Sequence, residues 1–194
     1  VCGGSGVGKS EIASLLAHYF ENMGVGCYTL SGDNYPYRIP VYNDAERLRI
    51  FRESAIRGMI TDGEYSFERF NIIHQYQLEN KDSEPKNIVK YPWYESYIRN
   101  GAMGLQGYLG TEKEINFFEI QNIVKEFKSG AEKIWLKRMG REDTELWYEE
   151  VDFSEKDILI IEWTHGNSKN YTGVDIPVSV SYTHLRAHET ELHL

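Results

Sequence analysis

Between Lys9 and Glu21 the apolar positions Ile12, Leu15, Leu16, Tyr19 and Phe20 keep to one face of a helix. Met23-Gly24-Val25-Gly26 should end it, because glycines release the backbone from helical torsions. Cys27-Tyr28-Thr29-Leu30 then predicts a short strand running into Ser31-Gly32-Asp33-Asn34-Tyr35. Asn43-Asp44 predicts the cap of a helix reaching Met59, with Leu48, Phe51, Ala55 and Ile56 on its apolar face. A further helix is expected from Tyr65 to Leu78, and the polar stretch after it closes on a short strand at Ile88-Val89. Tyr91 to Tyr108 mixes aromatics with glycines and shows no assignable period. Phe117 to Lys128 is amphipathic and is closed by Ser129-Gly130. Ile134-Trp135-Leu136 predicts a strand, Leu146-Trp147-Tyr148 a weaker one, and Asp157 to Glu162 a fully buried one. Val174 to Val178 is strand-like, and no internal repeat is visible. Strands alternating with helices predict an α/β fold, a three-layer α/β/α sandwich around a mostly parallel sheet. Ligands in such folds bind at the carboxyl ends of the strands.

The first helix is preceded by Gly3-Gly4-Ser5-Gly6-Val7-Gly8-Lys9-Ser10, which satisfies G-x-x-x-x-G-K-[ST]. The glycines let the backbone turn its N–H groups inward around an anion. Lys9 brings a compact positive charge to the β- and γ-phosphates, and the Ser10 hydroxyl can ligate Mg²⁺. The helix that starts here adds the positive end of its dipole. An ordinary glycine turn would need none of the Lys, the Ser or the spacing. ATP with Mg²⁺ is therefore expected, with Gly4, Ser5, Gly6, Val7, Gly8, Lys9 and Ser10 as the nucleotide-binding residues. The motif ordinarily follows a buried strand of about five residues, and only Val1 and Cys2 precede Gly3. The first strand of the sheet is thus expected to lie outside these residues. At the other end Ser181-Tyr182-Thr183-His184-Leu185-Arg186-Ala187-His188-Glu189-Thr190 resembles translated sequencing-adapter read-through. A His-rich metal tail is the alternative reading. Residues 179–194 are set aside as a non-native tail, leaving 1–178 as the domain.

Composition narrows the partners. The chain of 194 residues is long enough to bury a real core as one domain. A net charge of −9 argues against broad nucleic-acid or acidic-membrane binding, which need a basic face. Two cysteines, Cys2 and Cys27, suggest no disulfide scaffold and, with the nucleotide motif, a reducing cytoplasm. No run of about 18 apolar residues exists. A homo-oligomer is compatible with the sequence, which does not fix the state.

Acidic residues at predicted strand ends supply candidate chemistry. Asp33 follows the second strand on the edge that carries the glycine loop. It can take the proton of an attacking hydroxyl or hold a metal-bound water, and it reads equally as a turn residue. Glu162 ends the most hydrophobic strand, where an ionised group needs a partner. Mg²⁺ is a natural one, and emergence into solvent is the plain alternative. His165 lies in the following loop, Trp163-Thr164-His165-Gly166-Asn167, where a histidine is ordinarily a surface polar group. Arg138 and Arg141 bracket Met139-Gly140 and can clamp phosphates, or stand as solvated charges beside Glu142 and Asp143. Arg47, Arg49 and Arg52 share a helix with Glu46 and Glu53 and read as a solvated face.

Taken in order, these motifs resemble the phosphoribulokinase and uridine kinase family of P-loop kinases. The resemblance rests on Gly3 to Ser10 and on Ser31-Gly32-Asp33-Asn34-Tyr35, similar to the family's Asp-x-Phe/Tyr-Tyr segment. Gly110-Thr111-Glu112-Lys113-Glu114-Ile115-Asn116-Phe117, with the helix ending at Lys128-Ser129-Gly130, is similar to its Asp-His-Pro-x-x-Phe-Asp element. Ile160-Ile161-Glu162-Trp163-Thr164-His165 is similar to its strand ending in Glu-Gly-x-His. The resemblance implies a P-loop NTPase fold, Asp33 as the base that deprotonates the acceptor hydroxyl, and Glu162 near the magnesium. The family's Asp, His and Pro fall on Gly110, Thr111 and Glu112, and its Tyr-Asp pair on Lys137-Arg138. Those positions read the nucleoside in uridine kinases, so the resemblance does not carry uridine over as the acceptor. The Arg-bearing lid expected after Val178 is absent. A second resemblance is to adenylylsulfate kinase, through Leu30-Ser31-Gly32-Asp33-Asn34 and the Arg-rich helix after it.

The expected protein is thus a small-molecule kinase, transferring the γ-phosphate of ATP to a hydroxyl. Its catalytic residues would be Asp33, Lys9 and Glu162, its metal site Ser10 and Glu162, and its substrate contacts Asp33, Tyr35, Arg138, Arg141 and His165. A nucleotide-dependent switch acting on a protein is the rival from another class. No GTPase-type Asn-Lys-x-Asp supports it.

Overall fold

The structure, a computed structural model, describes residues 1–181. The chain begins with α1 (Lys9–Asn22), β1 (Cys27–Ser31), a 3-10 turn (Gly32–Asn34), α2 (Pro40–Thr61) and α3 (Phe67–Leu78). It continues through α4 (Asn87–Lys90), α5 (Tyr94–Gln106), α6 (Phe117–Lys128), β2 (Lys133–Met139), β3 (Leu146–Asp152) and β4 (Ile158–Glu162). Two compact units result, one of 1–41 and 110–181, the other of 42–109. The expected tail divides here: 182–194 lie outside the described residues, whereas Val180 N donates to the Cys2 carbonyl at 2.7 Å.

In the first unit β1 and β4 pair in parallel, with Cys27 opposite Ile158 and Ser31 opposite Glu162. Gly26 admits the chain to β1, since a Cβ there would stand 1.7 Å from the Glu155 carbonyl oxygen. Cys2 bridges in parallel to both Trp163 and Ser179. β2 and β3 form a separate antiparallel hairpin, Lys133 opposite Asp152 and Met139 opposite Leu146. The expected α/β class with a parallel sheet is observed in β1 and β4; the expectation of one mostly parallel sheet is corrected by the antiparallel hairpin, which forms a sheet of its own among the described residues. Val174 to Val178 is not a strand; only its end engages, through Cys2 N to the Val178 carbonyl at 2.8 Å. The core joins Leu30, Tyr35, Ile115, Ile120, Leu136 and Trp163. Asn116 caps α6 reciprocally: its Oδ1 accepts from Glu119 N at 3.2 Å and its Nδ2 donates to Glu119 Oε2 at 3.0 Å.

The second unit is helical, around Phe51, Ala55, Met59, Ile73, Tyr94 and Tyr97. α2 starts at Pro40, where the missing N–H costs nothing. Asn43 is consequently inside the helix and buried, accepting the Tyr108 hydroxyl at 2.9 Å rather than capping. Ser66 caps α3 through Arg69 N. Ile88-Val89 belongs to the α4 turn, not a strand, fixed by Asn87 Nδ2 on the Lys81 carbonyl at 2.8 Å. α5 fills the stretch that shows no period, and its glycines are packing devices. A Cβ at Gly101 would meet the Phe51 ring at 2.5 Å, and one at Gly104 the Ser54 Oγ at 2.1 Å.

Asp82, 1% exposed, accepts Arg52 Nη2 at 2.7 Å, Arg52 Nε at 3.0 Å and the Tyr97 hydroxyl at 2.8 Å. Removing one partner of a buried pair leaves the other charge uncompensated, at a cost of about 3 kcal/mol. Asp82→Asn should therefore lower the midpoint of denaturant unfolding clearly, read by circular dichroism. A midpoint equal to wild type would deny the network that role. No helix among the described residues is long and apolar enough to cross a membrane.

Candidate functional site

The glycine loop takes the torsions its sequence requires. Gly6 and Gly8 have φ of 72° and 86°, and Gly8 stands at the N-cap of α1 with no side chain capping that end. The first-turn N–H groups are thus left for an anion. Lys9 is 9% exposed, and its Nζ folds back onto the Gly4 carbonyl at 2.8 Å. Gly6 to Ile12 and Val180 line a cavity of 560 Å³, with Ser10 on its wall. A second cavity of 320 Å³ is lined chiefly by apolar residues such as Leu16, Phe20, Phe127 and Ile160, and the Lys128 ammonium on its wall is paired with Asp175 at 2.6 Å. Among the described residues no group of three or more His, Cys, Asp or Glu could hold a metal. The donor set suits Mg²⁺, which keeps several waters and takes one or two protein oxygens beside phosphate oxygens.

Because Ser31 and Glu162 are register partners, the residues that follow β1 leave the sheet beside those that follow β4. Asp33 is exposed in the 3-10 turn, next to this edge. Burial raises the Glu162 carboxyl above its ordinary range, the negative charge of Asp33 raises it further, and Lys9 pulls it back. Asp33, Glu162 and Lys9 thus form one electrostatic group beside the loop. A raised carboxyl binds more protons folded than unfolded, so stability falls as pH rises from the ordinary carboxylate value through the folded one. Glu162→Gln should match or exceed wild-type thermal stability at pH 7, read by calorimetry. A Glu162→Gln protein less stable than wild type at that pH would contradict a carboxyl raised by burial.

The turn carrying Asp33 is held from several sides. A Cβ on Gly32 would fall 2.0 Å from the Trp163 ring, so only glycine passes beneath that indole. Asn34 Oδ1 accepts Met139 N at 3.0 Å. Asn116 N donates to the Tyr35 carbonyl at 2.9 Å, and Tyr37 N to that of Glu114 at 2.9 Å. The Tyr35 side chain is fully buried in the core, which removes it from the surface where a substrate contact was expected. His165 stands edge-on to Trp163, ring centroids 5.5 Å apart. Its ring also explains Gly110: φ there is 66°, and a Cβ would lie 2.7 Å from His165 Nδ1. The imidazole covers the position at which the resemblance leads one to look for an aspartate.

Arg138 directs Nη2 to the Tyr28 hydroxyl on β1 at 2.6 Å and Nε to Glu149 on β3 at 2.9 Å, so it ties the hairpin to β1. Arg141 is exposed in the β2–β3 turn, its N–H on Glu145 Oε2 at 2.8 Å. The motifs mark Lys137, buried on β2, only as a departure from the family's Tyr, and do not single out Trp163 over Gly32. The first breaks strand alternation only once burial is known, and the second shows in sequence only as a Trp beside Glu162.

The chain is 39% identical over 178 residues to the bifunctional alpha-galactosidase/sucrose kinase AgaSK of Mediterraneibacter gnavus, an alignment that covers 92% of this chain. The chain spans 14% of that protein's length. No family model matches the chain, and no solved structure matches it.

Proposed function

We propose that this chain carries the catalytic core of an ATP-dependent sugar kinase with a P-loop NTPase fold. The observation that carries the reading is the register that sets Ser31 beside Glu162, so that Asp33 follows β1 at the end where β4 closes, next to a glycine loop at the N-cap of α1. The charges of Asp33 and Lys9 both act on the Glu162 carboxyl. The likeness to a sucrose kinase along nearly the whole chain supports a sugar as acceptor.

The backbone N–H groups of Gly4 to Lys9 and the Lys9 ammonium would bind the phosphates and stabilise charge spread over the transferring group. Lys9 would exchange its hold on the Gly4 carbonyl for phosphate oxygens. Ser10 and Glu162, the latter directly or through water, would hold Mg²⁺, which neutralises charge on the β- and γ-phosphate oxygens. Asp33 would accept the proton of the sugar hydroxyl. As that oxygen bonds to the γ-phosphorus, the bond from γ-phosphorus to the bridging oxygen breaks and its electron pair leaves with ADP. Positioning supplies much of such catalysis. His165 and Arg141 would contact the acceptor or its new phosphate, while Arg138 ties the hairpin to β1. The uridine kinase and phosphoribulokinase resemblance is kept for the handling of nucleotide and base; Gly110 beneath His165 speaks against a nucleoside.

Coupled ADP release from Mg-ATP tests the reading with neutral mono- and disaccharides, uridine and adenylylsulfate as separate acceptors. Turnover that depends on a sugar supports it. Release that needs only uridine or adenylylsulfate, or that runs equally without any acceptor, would refute it.

A further inference from the structure

We propose that Lys137 is a positioning residue for Asp33, anchoring the turn that carries the base to strand β2; this rests on the phosphotransfer reading above.

Along β2, Ile134 and Leu136 are buried in the core, so the two-residue period of a strand sends Lys137 to the opposite face. It is nonetheless 6% exposed. Burial of an ammonium is costly without a counter-charge, and among the described residues Lys137 makes no ion pair. Burial lowers its pKa, and the charge of Glu119 only partly restores it. A methionine or leucine would fill the same space without that cost.

What the ammonium does is donate to the Pro36 carbonyl at 2.9 Å, three residues beyond Asp33. Two residues further along the same strand, Met139 N holds Asn34 Oδ1 at 3.0 Å. These bonds fall on either side of Tyr35, whose ring is sunk in the core. β2 therefore grips the segment 33–37 twice around a buried aromatic anchor, and Asp33 rides on a turn clamped to a rigid element. Supports of this kind hold a reacting group to fractions of an ångström, and a misplacement of about 1 Å can cost about 100-fold in rate.

Lys137→Met removes the ammonium and keeps the bulk. With a sugar that wild type phosphorylates, kcat should fall about 10- to 100-fold. KM for ATP, the affinity for Mg-ATP and the thermal midpoint should stay near wild type, or the midpoint should rise. Hydrogen exchange, followed by mass spectrometry, should quicken in 33–37 and nowhere else. Asn34→Ala should act in the same direction more weakly, and the double variant should lose less than the product of the two. It also serves as the second probe if Lys137→Met does not fold.

Wild-type kcat in Lys137→Met would overturn the inference. So would a loss accompanied by weaker Mg-ATP binding and a lower midpoint without a local change in exchange, the mark of a merely structural role. If wild type turns over no sugar, the kinase reading falls by itself. Exchange in 33–37 then decides the anchoring separately, and an unchanged rate in Lys137→Met overturns it.

Discussion

Lys9→Ala is expected to bring phosphoryl transfer down by at least about 100- to 1,000-fold, the loss typical of one preorganised donor at developing charge. Lys9 is almost fully buried, and among the described residues its Nζ bonds only the Gly4 carbonyl of its own loop. That bond contributes about 1 to 1.5 kcal/mol to stability, so the variant should remain folded with a modest drop in thermal midpoint. Mg-ATP affinity measured by calorimetry should weaken along with turnover, because in the proposed reading the same ammonium would meet the phosphates before and during transfer. An unaltered affinity and an unaltered rate would remove the loop from the mechanism.

Asp33→Asn separates chemistry from architecture. Asparagine is as good a turn residue as aspartate, and Asp33 is exposed, so a purely structural Asp33 predicts a variant like wild type in every respect. A general base predicts a loss of about 100- to 10,000-fold in kcat, with Mg-ATP affinity and thermal midpoint kept. The magnitudes leave no overlap between the two readings. Steady-state kinetics with the preferred sugar, paired with calorimetry, decides it. Because Asp33 also raises the Glu162 carboxyl, the variant should make Glu162 easier to ionise.

Local rules account for the parts of this chain that were readable beforehand. α1 and α6 show their apolar stripes and stop signals, and β4 is an uninterrupted apolar run, so each was legible in type and nearly in extent. The torsions of the glycine loop were legible because Gly6 and Gly8 stand where φ is positive. Asp33 and Glu162 were legible as strand-end acids. Their electrostatic coupling was not, since it needs the register that sets Ser31 beside Glu162. The helix α5 was hidden because Gly101 and Gly104 answer to Phe51 and Ser54 on another helix, not to helix propensity. Ile88-Val89 has the residue types of a strand and no lateral partner to pair with, so a helical turn prevails. Neither the depth of Tyr35 nor that of Lys137 can be read from the neighbouring residues. Tertiary burial decided both.

The most direct test follows the phosphorus atom itself. Wild-type protein is incubated with Mg-ATP labelled at the γ-phosphate and a neutral disaccharide, and the products are separated by charge. The account predicts label on the sugar, now an anion, in step with ADP. Label found only as inorganic phosphate, or retained on ATP with every sugar offered, would contradict it.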